Sequence, residues 1–176
     1  MIEYKFLVTG TVGAGKTTLI SAISEIPVIS TDVRNNDTTV NKQLTTVAFD
    51  YGQVTVSDNE RLRLYGTPGQ ERFSFMWKVL AQGAMGIIIL VDHTRADPIA
   101  DLKIYLDNFA SLIAKTGSVV CICKMVAEKA PLLDNFDEVI AEYNIICPII
   151  AVDVRKKEQV LQILDLLLTQ LENRDD

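Results

Sequence analysis

Metal and redox chemistry have little to draw on here: one histidine and three cysteines in 176 residues. Cys121, Cys123 and Cys147 follow no C-x-x-C spacing and lie in apolar, strand-like surroundings, which reads as buried reduced thiols. Positive charge is also scarce, with 17 Lys and Arg against 23 Asp and Glu and a net charge of -6. That balance argues against nucleic acid as the main partner, because phosphate backbones are bound by excess basic residues. The longest apolar run, Ala84 to Val91, falls far short of the roughly 20 residues a membrane-spanning helix needs. The ends carry neither a signal-peptide pattern nor a lipidation motif, so a cytoplasmic location without a direct membrane anchor is expected. What remains, 48% hydrophobic and 23% charged residues, suits a single domain over residues 1–176.

Against these absences stands one dense stretch, Gly10-Thr-Val-Gly-Ala-Gly15-Lys16-Thr17-Thr18. It fits G-x-x-x-x-G-K-S/T at every fixed position. A backbone that wraps a triphosphate turns its N–H groups inward, which requires conformations and close approach that a Cβ obstructs. Lys16 is spaced to reach the β and γ phosphates, and the Thr17 hydroxyl to ligate magnesium. The apolar run Lys5 to Thr9 before the loop and the helical pattern from Leu19 to Ile23 after it supply the strand–loop–helix order that this pattern demands.

Along the rest of the chain, strand-like and helical segments alternate, as in a parallel sheet covered on both faces. Pro27 to Leu44 is polar and aperiodic and reads mostly as a long loop. Thr45 to Val56 and Arg61 to Tyr65 flank a polar turn and predict an antiparallel hairpin. Buried strands are expected at Met85–Val91, Ser118–Met125 and Pro148–Val152, and helices after Asp97-Pro98, near Phe136–Tyr143 and over Glu158–Leu171. The stripe Val160, Ile163, Leu164, Leu167, Leu168 and Leu171 reads as core packing, and His93 as a loop or packing histidine.

With the first loop and Gly66-Thr-Pro-Gly69-Gln70-Glu-Arg-Phe73 both in view, the chain resembles the Ras-like small GTPases, whose second switch reads D-T-A-G-Q-E-R-F. It is most similar to bacterial and archaeal members with a T-P-G-Q-E-R-F form. The resemblance implies an α/β, P-loop NTPase fold: a six-stranded, mostly parallel sheet with one antiparallel strand and helices on both faces. It implies GTP or GDP as ligand, Mg2+ as cofactor, and a roadblock-type regulator or effector engaging two switch loops, residues 30–46 and 66–76. Nucleotide would be held by Gly10, Val12, Gly13, Ala14, Gly15, Lys16, Thr17, Thr18, Gly69, Lys124 and Val154. Gln70 would orient the attacking water beside Lys16, and magnesium would sit on Thr17 and Thr46, with Thr45 the alternative to Thr46.

Four departures bear on chemistry. Gly66 stands where the family has its magnesium-shell aspartate, leaving Asp50 or Asp32 as candidate replacements. Pro68 stiffens the second switch. Val12 beside the γ-phosphate seat crowds Gln70, which predicts slow hydrolysis. Cys123 and Val126 replace the Asn and Asp of the guanine-reading N-K-x-D motif, and only Lys124 survives. A valine accepts no hydrogen bond, so the base is left undetermined. Two readings follow: a slow GTP-hydrolysing switch, or a pseudo-GTPase interaction subunit with weak or base-unspecific binding and no turnover. A metabolite kinase ranks below both, for want of arginines between Arg95 and Arg155.

Overall fold

The computed structural model describes residues 1–34 and 46–174. Its elements run β1 (Ile2–Gly10), α1 (Lys16–Ile23), β2 (Ile29–Arg34), β3 (Thr46–Ser57), β4 (Glu60–Gly66), a short 3-10 turn (Glu71–Phe73), α2 (Ser74–Ala81), β5 (Gly86–Asp92), α3 (Pro98–Ile113), β6 (Gly117–Cys123), α4 (Leu133–Glu142), β7 (Ile149–Val152) and α5 (Lys157–Glu172). The strands form one sheet in the order β2-β3-β4-β1-β5-β6-β7. Strand β3 alone runs against the others, pairing antiparallel with both β2 and β4, while the remaining ladders are parallel.

The α/β class and the single reversed strand are as expected, but the sheet has seven strands rather than six. The extra strand is Ile29–Arg34, inside the segment read as loop. Its sequence lacks an apolar alternation because it is an edge strand, paired on one side only. The rest of that segment, from residue 35 to 45, lies outside the described residues.

Period-two alternation along the central strands sends side chains to two separate cores. Phe6, Val8, Ile88, Leu90, Val119 and Cys121 face α1 and α5, whereas Leu7, Ile87, Ile89, Val91, Val120 and Ile122 face α2, α3 and α4. The stripe on α5 is core: Val160, Ile163, Leu164 and Leu167 are buried, and Leu168 and Leu171 pack at their edge. Helix α3 begins where the sequence marks it, with Pro98 in its first turn and the Asp97 carboxylate accepting the Ala100 N–H at 2.9 Å. All three cysteines are free and buried, and burial raises each thiol above its ordinary range. No helix among the described residues is long and apolar enough to cross a membrane.

Candidate nucleotide site

The carboxyl ends of β1, β4, β5, β6 and β7 all emerge on one edge of the domain, and the glycine loop sits among them. Gly15 opens α1 with φ +111°, a left-handed value that a side chain resists, and a Cβ there would lie 2.9 Å from Val154 Cγ2. Val154 thus closes directly on the loop. Lys16 is folded back across it: Nζ donates to the carbonyls of Gly10 and Thr11, both at 2.7 Å. Burial pushes its ammonium down to about 8, an effect that the nearby Asp50 carboxylate partly offsets. Ala14 is buried, while Val12 stands out into solvent at 59% exposure.

Asp50 sits directly across the β3–β4 ladder from Gly66. Its two carboxylate oxygens accept the Thr17 and Ser30 hydroxyls. A Cβ on Gly66 would come within 3.2 Å of Asp50 Cβ and 3.6 Å of its Oδ2. The space above Gly66 is therefore already filled by a carboxylate from the neighbouring strand, turned to the threonine that follows Lys16.

The second glycine-containing loop is pinned on both sides. Thr67 donates its N–H to the Val8 carbonyl at 2.9 Å, and its hydroxyl meets that of Thr9 at 2.8 Å. The buried Trp77 indole N–H donates to the Pro68 carbonyl at 2.7 Å, with the ring packed on Tyr105 and Phe109 of α3. Gly69 then lies against the first loop so closely that a Cβ would meet Val12 N at 2.7 Å and Lys16 Nζ at 2.9 Å. Gln70 is exposed, its side-chain oxygen held by Arg72 Nε at 2.6 Å. Of the aromatic and apolar cluster here, Phe73, Met76 and Trp77 are buried and Phe75 is left 46% exposed, beside Val79 at 53%.

Next to the glycine loop opens a cavity of about 740 Å³, lined among others by Gly13, Thr18, Cys123, Lys124, Val154 and Gln159. Lys124 is fixed over it, its Nζ donating to the Gly13 carbonyl and to Asp92 Oδ2, each at 2.8 Å. That ion pair and the Thr94 bonds outweigh desolvation and lower the Asp92 pKa. Asp153 is engaged by Arg155 through two 2.8 Å contacts and held down to about 2. Val126 lines no part of the cavity and accepts nothing there; its N–H points to His93 Nδ1 at 3.1 Å.

The structure thus brings together the whole first loop, Gly69, Lys124 and Val154. Thr46 opens β3 opposite Arg34, but its side chain and Thr45 lie outside the described residues. Sequence reasoning named Asp50 only as one of two candidates and missed Ser30 and Asp92 altogether. Asp92 carried a usable signal as the acid ending a buried apolar strand, the one that pairs with β1 ahead of the glycine loop, whereas Ser30 lay in the segment read as loop.

A family profile described as "conserved hypothetical ATP binding protein" matches residues 27–167. The chain belongs to this family. Among the relatives, an uncharacterized protein from Methanocaldococcus jannaschii is 33% identical over 94 residues, covering 53% of this chain and 53% of its own length. The chain thus spans about half the length of that relative. The Ras-related protein RabC of Dictyostelium discoideum is 23% identical over 181 residues, covering 97% of the chain and 85% of RabC. The GTP-binding protein YPT1 of Saccharomyces cerevisiae is 26% identical over 145 residues, covering 81% of the chain and 62% of YPT1. Two of these three relatives are thus named as Ras-related or GTP-binding proteins, both at low identity.

Proposed function

We propose that the protein is a Ras-like nucleotide switch that binds GTP or GDP with Mg2+ and hydrolyses the triphosphate slowly. One observation carries this reading: Lys16, Thr17 and Gly69 converge on a single glycine cradle, with the ammonium spanning the loop and the Gly69 backbone closing over it. Arriving phosphates would take the Lys16 ammonium from the Gly10 and Thr11 carbonyls, and the α1 N-terminus would favour their charge. The Rab-type relatives and membership of a family described as ATP binding support nucleotide as the ligand.

The oxygen donors at hand fit magnesium, a hard cation that takes carboxylate, hydroxyl, phosphate and water. Thr17 would ligate it and Asp50 would hold its shell, the carboxylate being already on the Thr17 hydroxyl. Bound there, the ion would neutralise charge on the phosphate oxygens. Thr46 is the remaining proposed ligand. Gln70 would orient the water once it leaves Arg72, and Val12, whose backbone lies against Gly69, would crowd that approach and slow turnover. The exposed Phe75 and Val79 on α2 would form part of the surface offered to a protein partner, which we take to be of roadblock type and cytoplasmic.

The base-binding end favours the second reading, a subunit that binds nucleotide without base selection or turnover. No carboxylate from the 123–126 segment enters the cavity, and Asp153, which lines it, is engaged by Arg155. Calorimetric titration of GDP, GTP, ADP and ATP, with and without Mg2+, separates the two. Submicromolar, magnesium-dependent, guanine-selective binding supports the switch, and equal affinities for adenine and guanine nucleotides without turnover support the subunit. No binding of any of the four rejects both.

A further inference from the structure

His93 is fully buried, yet both ring nitrogens are committed. Nδ1 accepts the Val126 N–H at 3.1 Å, and Nε2 lies 2.7 Å from the Pro131 carbonyl. A carbonyl only accepts and an N–H only donates, so a single tautomer satisfies both partners: neutral imidazole protonated on Nε2. The ring packs beside Phe136 of α4. Its backbone is tied to the same region, with the His93 N–H on the Cys123 carbonyl at 3.0 Å and Lys129 Nζ on the carbonyls of His93 and Arg95 at 3.1 and 2.8 Å. One side chain thus holds both ends of the segment from Val126 to Pro131. That segment follows Lys124 and Met125, which wall the cavity beside the glycine loop.

The geometry points to His93 as a positioning residue for the base of the bound nucleotide, an inference that rests on reading this cavity as the base seat. By tethering Val126 and Pro131, the imidazole fixes the strand end so that Lys124, part of the cavity lining, stays against Gly13 and Asp92. The Val126 amide is spent on His93. The base therefore gains its affinity from the Lys124 platform and the Val154 side, with no hydrogen bond from the Val126 end. Replacing the ring by an apolar group takes the side-chain partner from a half-buried N–H and a half-buried carbonyl and so releases the imidazole's hold on both ends of the segment.

The test compares a ligand with a base against one without. Calorimetry would measure ATP, GTP and inorganic tripolyphosphate binding to the wild type, to His93→Leu and to His93→Asn, whose amide oxygen falls near Nδ1 and restores the Val126 contact alone. His93→Leu should weaken both nucleotides on the order of tenfold while tripolyphosphate affinity stays unchanged, and His93→Asn should recover part of the loss. If His93→Leu does not fold, the same split in His93→Asn, smaller in size, decides. Nucleotide and tripolyphosphate affinities that fall together, or nucleotide affinities that do not change, overturn the assignment while leaving the phosphate cradle standing. A wild type that binds tripolyphosphate as tightly as nucleotide also overturns it, since the base would then contribute nothing. A wild type that binds none of the three instead removes the nucleotide reading on which the inference rests.

Discussion

Asp50 and Gly66 face each other across one ladder of the sheet, and the carboxylate of the first fills the space that the second leaves open. Asp50 thus reaches the Thr17 hydroxyl from the strand beside Gly66. Directly opposite residues project to the same face, so a side chain at position 66 would enter the space that Asp50 occupies.

Asp50→Ala is expected to weaken magnesium-dependent nucleotide binding about 10- to 100-fold, the usual effect of losing a group that orients a metal's ligand. Magnesium titration of the nucleotide complex measures it. Gly66→Asp alone should destabilise, because a second carboxylate would press on the first; pairing it with Asp50→Ala should recover both stability and magnesium dependence. A double variant no better than Asp50→Ala would show that the two positions are not equivalent.

Lys16 supplies a pH dependence of defined sign. Its folded pKa of about 8 lies below the ordinary 10.5, so the unfolded chain holds this proton more tightly. The group opposes folding in full below pH 8, and that penalty is lifted as the pH rises from 8 to 10.5. Urea unfolding between pH 7 and 10.5 should show the wild type gaining on Lys16→Met, by at most about 3 kcal/mol. A constant difference would mean that the amine is not desolvated.

Gly69→Ala should act on the triphosphate more than on the diphosphate. The new methyl group would collide with the Val12 backbone and the Lys16 amine, forcing the second loop away from the first. A loss of tenfold or more in affinity for a non-hydrolysable triphosphate is expected, with a smaller change for the diphosphate. Parallel losses would place Gly69 outside the phosphate seat.

Trp77→Phe keeps an aromatic ring on Tyr105 and Phe109 but deletes the donor to Pro68. The buried carbonyl would then lack its partner, at a cost of about 1 to 2 kcal/mol. Thermal unfolding should show a drop of a few degrees. An unchanged midpoint would mean that water replaces the indole.

Local chemistry made much of this protein readable. The glycine spacing around Lys16 announces a backbone that must curl closely round an anion, and the alternating strand and helix patterns announce the layered sheet. Strand β2 escaped because an edge strand needs no apolar face of its own. The role of His93 escaped because both of its partners, Val126 and Pro131, are more than 30 residues away in sequence and are backbone groups, which carry no sequence signature.

The identity of the residues in the cradle is the sequence's own doing: a loop with Gly10, Gly13, Gly15, Lys16 and Thr17 can wrap phosphate wherever it is placed after a strand. Which carboxylate joins it was decided by tertiary structure. The hairpin leaves its turn with Ser57 opposite Glu60, and an unbroken ladder from there would set Tyr51 opposite Gly66 and turn Asp50 to the other face. An irregularity between Thr55 and Ser57 shifts the register by one residue and brings Asp50 there instead. Because side chains alternate with a period of two, that single residue is the difference between a carboxylate on Thr17 and an aromatic ring in its place.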